Sequence, residues 1–340
     1  MSTPSAAQAA PRPLSQARRG LAATVLIPVL AALALWAFAW PAARTAPREL
    51  PLGVAGPAGA VAQVEQRLER REGAFEIHRY ADEAAARRAI EDRTVYGAIV
   101  VTAQGTELLT ASAASPFVAQ QLRQTVAGST GDTQVRSVDV VAAPAADPRG
   151  SALNASVLPL ALAGIAAGSM VTLLGLRGIR AVGALAVAAA LVGVVAAAIA
   201  HSWLGVLTGH HWWAEAGSLA LATLAVSAAV AGLSALLGRA GIGLGAGIVM
   251  LLGNPFSGAA TAPEMLPEPA GAIGQWLPPG AGTSLLRSVS FFDGAAATGP
   301  ALTLTWWAAL GLGAVLAGGA LGTRTRGAAP AAERGLTPVG

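Results

Sequence analysis

From Leu21 to Trp40 the chain runs without a single charged residue. About 20 apolar residues in helical form cross a hydrocarbon layer ~30 Å thick, and only an internally hydrogen-bonded backbone is tolerated there. The stretch follows Arg18 and Arg19 and closes on Trp36 and Trp40, the latter placed for the far interface. A cleaved signal peptide is the alternative, since Ala42 and Ala43 follow, but the uninterrupted length favours an anchor. Five further apolar stretches lie at Val157–Leu176, Ala181–Leu204, Ala214–Leu237, Ile242–Gly253 and Ala301–Leu321. The fold expected is therefore an α-helical integral membrane protein with about six transmembrane helices. Ile242–Gly253 is too short to cross at 1.5 Å per residue unless it continues through Asn254-Pro255 towards Gly258.

Composition agrees: 54% of residues are hydrophobic and 12% charged, against about 25% charged in soluble domains. Charge is concentrated between Pro41 and Gly150, which hold 13 of 18 acidic and 12 of 22 basic residues. All the basic residues are Arg and the net charge is only +4, which is no nucleic-acid footprint. Without cysteine, disulfides and thiolate chemistry are excluded. Basic residues in short loops stay cytoplasmic. With an inside N-terminus, Arg12, Arg18, Arg19, Arg177, Arg180, Arg239, Arg324, Arg326 and Arg334 fall inside, and only Arg287 falls in a short outer loop. Both termini are expected in the cytoplasm, with tails at 1–20 and 323–340, and the region 41–150 outside. A first helix at 21–40 and a five-helix membrane domain at 151–322 complete the division.

Region 41–150 alternates strand and helix signals, which predicts an extracytoplasmic α/β domain inserted between helix 1 and helix 2. Strands are expected at Leu50–Gly56, Phe75–Arg79, Val95–Thr102, Glu107–Ala111 and Val135–Ala142. Between them, Val61, Val64 and Leu68 share one helical face. Asp82–Arg93 begins with acids and ends with arginines, and Ser115-Pro116 opens a third helix. Pro144–Pro148 is a stiff lead into the second span.

No phosphate loop of Gly-x-x-x-x-Gly-Lys-Ser/Thr type exists in a chain without lysine, so ATP-driven work needs a partner. Gly241, Gly243, Gly245 and Gly247 lack the preceding strand of a dinucleotide site and read as a helix contact in lipid. His210-His211-Trp212-Trp213 reads as an interfacial belt, because neighbouring histidines do not have metal-ligand spacing and no acidic cluster completes a set. Glu215 opens a span; a buried carboxylate there would relay protons or touch a substrate, but its place within a turn of the interface predicts contact with water. No catalytic, cofactor or metal constellation emerges, so the chain is not expected to be an enzyme.

The segment 254–299 is the most distinctive. It breaks at Asn254-Pro255-Phe256-Ser257-Gly258 and again at Trp276-Leu277-Pro278-Pro279-Gly280-Ala281, and Leu285, Leu286, Val289, Phe291 and Phe292 form an apolar face around Arg287. This suits a re-entrant or interfacial element, with an ordinary loop lying on the membrane as the alternative. Three pieces in order carry a resemblance: Arg93-Thr94-Val95-Tyr96-Gly97-Ala98-Ile99-Val100, Gly253-Asn254-Pro255-Phe256-Ser257-Gly258, and Leu277-Pro278-Pro279-Gly280-Ala281 followed by Leu286-Arg287. Together they resemble ABC-2 type membrane permeases, in particular the branch with the phage infection protein family and actinobacterial permease-like relatives.

That resemblance implies a bacterial plasma-membrane export permease, a dimer paired with a separate ATPase, with a large external domain after the first helix and no cofactor of its own. Candidate pathway or gating residues are then Glu215, Asn254, Pro255, Pro278, Pro279 and Arg287. Permeases of the class dock their ATPase through an amphipathic helix before the first span and a coupling helix between the second and third. Here the N-terminal tail is Pro- and Ala-rich and the inner loop is little more than Leu176-Arg177-Gly178-Ile179-Arg180. The second reading is accordingly a non-transporting membrane scaffold or receptor that acts through its external domain, of secretion-accessory or phage-adsorption type.

Overall fold

The computed structural model describes residues 16–129 and 135–327. Most of the expected tails at 1–20 and 323–340, including Arg12 and Arg334, lies outside the described residues. The first helix, α1, runs Gln16–Ala43 with its apolar residues outward and only its last turns packed, Ala37 being buried and Trp40 meeting Phe256 edge-on at 6.1 Å.

An α/β unit follows. Its strands are β1 (Leu50–Ala55), β2 (Phe75–Tyr80), β3 (Gly97–Thr102), β4 (Gly105–Thr110) and β5 (Arg136–Asp139), and its helices are α2 (Ala58–Glu69), α3 (Glu83–Glu91) and α4 (Pro116–Ser129). The sheet order is β2-β1-β3-β4-β5; β1 runs parallel to β2 and β3, β3 and β4 form an antiparallel hairpin, and β5 is parallel to β4. Alternation along the strands sends side chains to opposite faces. Leu50, Leu52, Val54, Ile99 and Leu108 meet Val61 and Leu68 of α2 and Val118 and Leu122 of α4 on one face. Ala55, Ala98, Val100 and Leu109 meet Ala86, Ala89 and Ile90 of α3 on the other. Asp82 caps α3 by accepting from the Ala85 N–H at 2.7 Å.

The remaining helices are α5 (Ser151–Leu173), α6 (Gly178–Ala197, extended by a π-helical turn at Ala198–Trp203), α7 (Trp212–Leu237), α8 (Arg239–Gly247, extended by a π-helical turn at Ile248–Gly253), α9 (Ala270–Gln275), α10 (Pro278–Phe291) and α11 (Thr298–Gly327). Buried Asp147 fixes the entry to α5 by accepting from the backbone N–H groups of Ser151, Ala152 and Leu153 at 2.8–3.1 Å. Five described helices are long and apolar enough to cross a membrane: α1, α5, α6 with its π turn, α7 and α11. The sixth apolar stretch, Arg239–Gly253, is a nine-residue helix plus a six-residue turn, about 22 Å long at 1.5 Å per residue, and falls short of ~30 Å.

Helix α7 is the axis of the bundle. Within its most apolar stretch 61% of residues are buried, against 11–22% for the other four long helices, and α5, α6 and α11 all pack on it. Small residues permit the close approach. A methyl added at Gly311 would fall against the Ala228 carbonyl group, and one at Gly193 against the Ala216 carbonyl oxygen.

Candidate functional site

The segment between α8 and α11 ties the helices to the α/β unit. Its 3-10 turn at Pro263–Met265 is stitched to residues 46–48: the Ala46 N–H donates to the Met265 carbonyl at 3.0 Å and the Arg48 N–H to the Glu264 carbonyl at 2.9 Å. Ala262 and Met265 then enter the core beneath α2 and α4, while Phe292, at the end of α10, enters the opposite core beside α3. One segment thus contributes to both faces of the sheet.

Arg93 stands where these parts meet. It follows α3 with a left-handed backbone at φ 58°, uncommon for a residue with a side chain. Its Nη1 donates to the Ser284 carbonyl at 3.0 Å and the Ser288 hydroxyl at 2.5 Å, and the guanidinium lies 5.2 Å from the centre of the Phe292 ring. Three residues on, the Tyr96 hydroxyl donates to Glu264 Oε2 at 2.8 Å. Burial, and then the Glu264 carboxylate, push the Tyr96 phenol well above its ordinary pKa, so it remains a donor. Burial lowers the Arg93 pKa, but a guanidinium remains charged at neutral pH.

Arg287, expected on an amphipathic face, is buried instead. Its Nη2 donates to the Ala259 carbonyl at 2.5 Å, and its Nε has no hydrogen-bond partner among the described residues. Helix α10 packs between α7 and α11, so the apolar residues flanking Arg287 face protein and carry the arginine inward with them. Pro278 and Pro279 open α10 and are buried; Pro279 stacks so closely on Gly253 that a methyl there would lie 2.7 Å from its ring. Asn254 and Pro255 follow Gly253, so the two proline-bearing turns are brought together where α8's extension ends. Beside Arg93, Tyr96, Glu264, Trp276, Leu302 and Trp306 a cleft of about 620 Å³ opens between the α/β unit and the first turns of α11.

Glu215 lies apart from this cluster. It is fully buried, a correction to the expected contact with water. Its Oε2 sits 2.7 Å from His201 Nδ1 and its Oε1 accepts from the Gly209 N–H at 3.0 Å. The π-helical turn after α6 brings His201 over the start of α7, and the loop through Gly209 closes the site from above. A carboxylate buried this way is held by its partners, since an unpaired one would be costly. His210 and His211, which drew notice in the sequence, make no ion pair among the described residues, whereas His201 drew none. An apolar groove of about 440 Å³ lies alongside, between α5 and α6, walled by Leu160, Leu191, Leu207 and Leu286.

Arg93, Tyr96, Glu264 and His201 are therefore the polar residues that the sequence did not single out as a site. Arg93 and Tyr96 lie in one of the resembling motifs, but nothing local marks Glu264, 168 positions from Tyr96, as its partner. Among the described residues, no group of His, Asp and Glu has the arrangement of a metal site.

With this geometry in place, one comparison with known families finds a match. Residues 18–158, which take in nearly all of α1, the whole α/β unit and the start of α5, match the family model described as ABC-2 family transporter protein. Over this portion, about two fifths of its length, the chain is similar to the ABC-2 transporter family. No curated protein and no solved structure matches it. Membrane components of that family normally work with a separate ATPase subunit, and the long apolar helices, four of them at or beyond residue 151, support a multi-pass membrane protein.

Proposed function

We propose that the chain is the permease-like, membrane-spanning subunit of an ABC-2 type exporter, in a bacterial plasma membrane, with both termini cytoplasmic and the α/β unit outside. The observation that carries this reading is the family match across α1 and the α/β unit, joined to a helical bundle whose axis is α7. The helix at Arg239–Gly253 rises from the Arg239 end and stops against Pro279, where α10 begins. Two short pieces meeting end to end make a sixth, broken crossing, with backbone at membrane depth shielded by α7 and α11. Asn254, Pro255, Pro278 and Pro279 form that break; Arg287, one face of α10 away, and Glu215, at the outer end of α7, are the charged residues nearest a route past it.

The resemblance to the phage-infection-protein and actinobacterial permease-like branch supports a second reading, a scaffold or receptor that acts through the α/β unit. The loop between α5 and α6 favours it: only Leu174 to Arg177 separates the two helices, little surface for an ATPase to push on. Affinity purification of the full chain from native membranes, followed by an assay of co-purifying ATP hydrolysis in liposomes, separates the two. A permease subunit, alone or as a homodimer, brings a stoichiometric ATPase whose turnover changes on reconstitution. Repeated purification without any ATPase rejects the transport reading and leaves the scaffold.

A further inference from the structure

The cleft at the junction has more than one chemical character along its length. At one end are Arg93, Tyr96 and Glu264, all from the α/β unit or the turn stitched to it; at the other are Trp276, Leu302 and Trp306. From the geometry we infer that this cleft is a binding site for an anionic amphiphile of the outer leaflet, its headgroup at Arg93 and its acyl chain on α11. The inference rests on the sidedness proposed above, but not on transport.

The headgroup end is built for an anion. Arg93 spends Nη1 on Ser284 and Ser288, while its Nε and Nη2 have no hydrogen-bond partner among the described residues and are not among the buried, partnerless atoms. A guanidinium edge with two free N–H directions matches a phosphate or carboxylate in bidentate fashion. Arg93 and Glu264 are the charged residues that line the cleft, and Glu264 is engaged at Oε2 by the Tyr96 hydroxyl, which leaves the free guanidinium edge of Arg93 as the group that faces a ligand anion. Left-handed Arg93 and its contact with the Phe292 ring hold the guanidinium in place before any ligand arrives.

The other end leads into lipid. Leu302, Trp306 and Leu310 recur every four residues on α11 and are 55%, 65% and 66% exposed, so they form one continuous apolar stripe descending from the cleft. Trp276, 74% exposed, is fixed at its backbone by the Trp307 indole N–H, which donates to its carbonyl at 2.8 Å. Exposed tryptophans of this kind sit at headgroup level in membranes. An acyl chain lying along the stripe places a phosphate at the height of Arg93.

The test is native mass spectrometry of the full chain in detergent with an equimolar mixture of phosphatidylglycerol and phosphatidylcholine of matched chains. The site predicts roughly tenfold preferential retention of phosphatidylglycerol, about what one charged hydrogen-bonding pair supplies. Arg93→Gln should abolish the preference and Arg93→Lys should keep part of it. Glu264→Gln, which retains an acceptor for Tyr96 while removing the negative charge, should bind phosphatidylglycerol as well as or better than the unaltered chain. Trp306→Ala, on an exposed position that leaves the fold intact, should weaken both lipids. Glycerol 3-phosphate in large excess should fail to displace the lipid. Equal retention of the two lipids, weaker binding by Glu264→Gln, indifference to Trp306→Ala, or full displacement by glycerol 3-phosphate would each overturn the inference. Because no ATPase takes part, failure here leaves the permease reading standing, and failure to find an ATPase leaves this binding result standing.

Discussion

The α/β unit and the helical bundle bury their surfaces in opposite ways. In the unit, large aliphatic side chains turn inward: Leu52, Val54, Ile90, Leu108 and Leu109 are almost completely buried. In the bundle, the closest approaches are made by Gly, Ala, Ser and Thr, as where Gly193 and Gly311 meet α7; Leu185, Leu219 and Leu304 are buried there, but many of the large residues turn out. Among the described residues, Phe117 is the one large apolar side chain of the unit that is exposed, whereas α1, α6 and α11 expose many. The difference reports the solvent. Water drives apolar area into a core, but lipid is as apolar as leucine and leaves only close van der Waals approach to hold helices together.

Substitutions that reverse one rule while obeying the other sharpen this contrast. Gly311→Leu adds apolar surface, which lipid tolerates, but would drive a side chain into the Ala228 backbone; it should destabilise the bundle by roughly 3 kcal/mol or more, read as loss of a monodisperse peak and of thermal stability in detergent. Met265→Ala empties a filled place in the first core of the unit and should cost about 2–4 kcal/mol, read as a lower Tm. Glu215→Gln replaces a charged acceptor between His201 and Gly209 with a neutral one and should cost about 1–2 kcal/mol in the same assay. Asp147→Ala removes the acceptor of three backbone N–H groups at the start of α5, with an expected loss of about 1 kcal/mol. Val187→Ala, on the exposed side of α6, should stay within about 0.5 kcal/mol. A large effect at Val187 would mean that its face is covered by a partner.

The local elements were legible because their signals are local. The β-branched run from Val95 holds the strand Gly97–Thr102; the acidic start of the helix after Tyr80 is the Asp82 cap; and the apolar stretches from Val157 and Ala181 fall mostly on α5 and on α6 with its π turn, overrunning their ends by a few residues, while that from Ala214 lies within α7. What the sequence concealed depends on residues far apart in it. The environment of Glu215 is set by a π-helical turn and a loop that fold back over the start of α7, so nearness to the interface misled. The apolar neighbours of Arg287 were visible, but not that α7 and α11 cover them. Hydropathy located Ile242–Gly253 and its shortness, yet the surface on which it stops, Pro279, comes from a turn beyond it in the chain.

Because the chain has no cysteine, its sidedness can be read directly with single introduced thiols. Gln104→Cys lies at the exposed tip between β3 and β4, and Ile179→Cys at the exposed start of α6. A membrane-impermeant maleimide applied to intact cells should label position 104 fully and position 179 only after the membrane is opened. Labelling of 179 without permeabilisation, or protection of 104, would contradict the account.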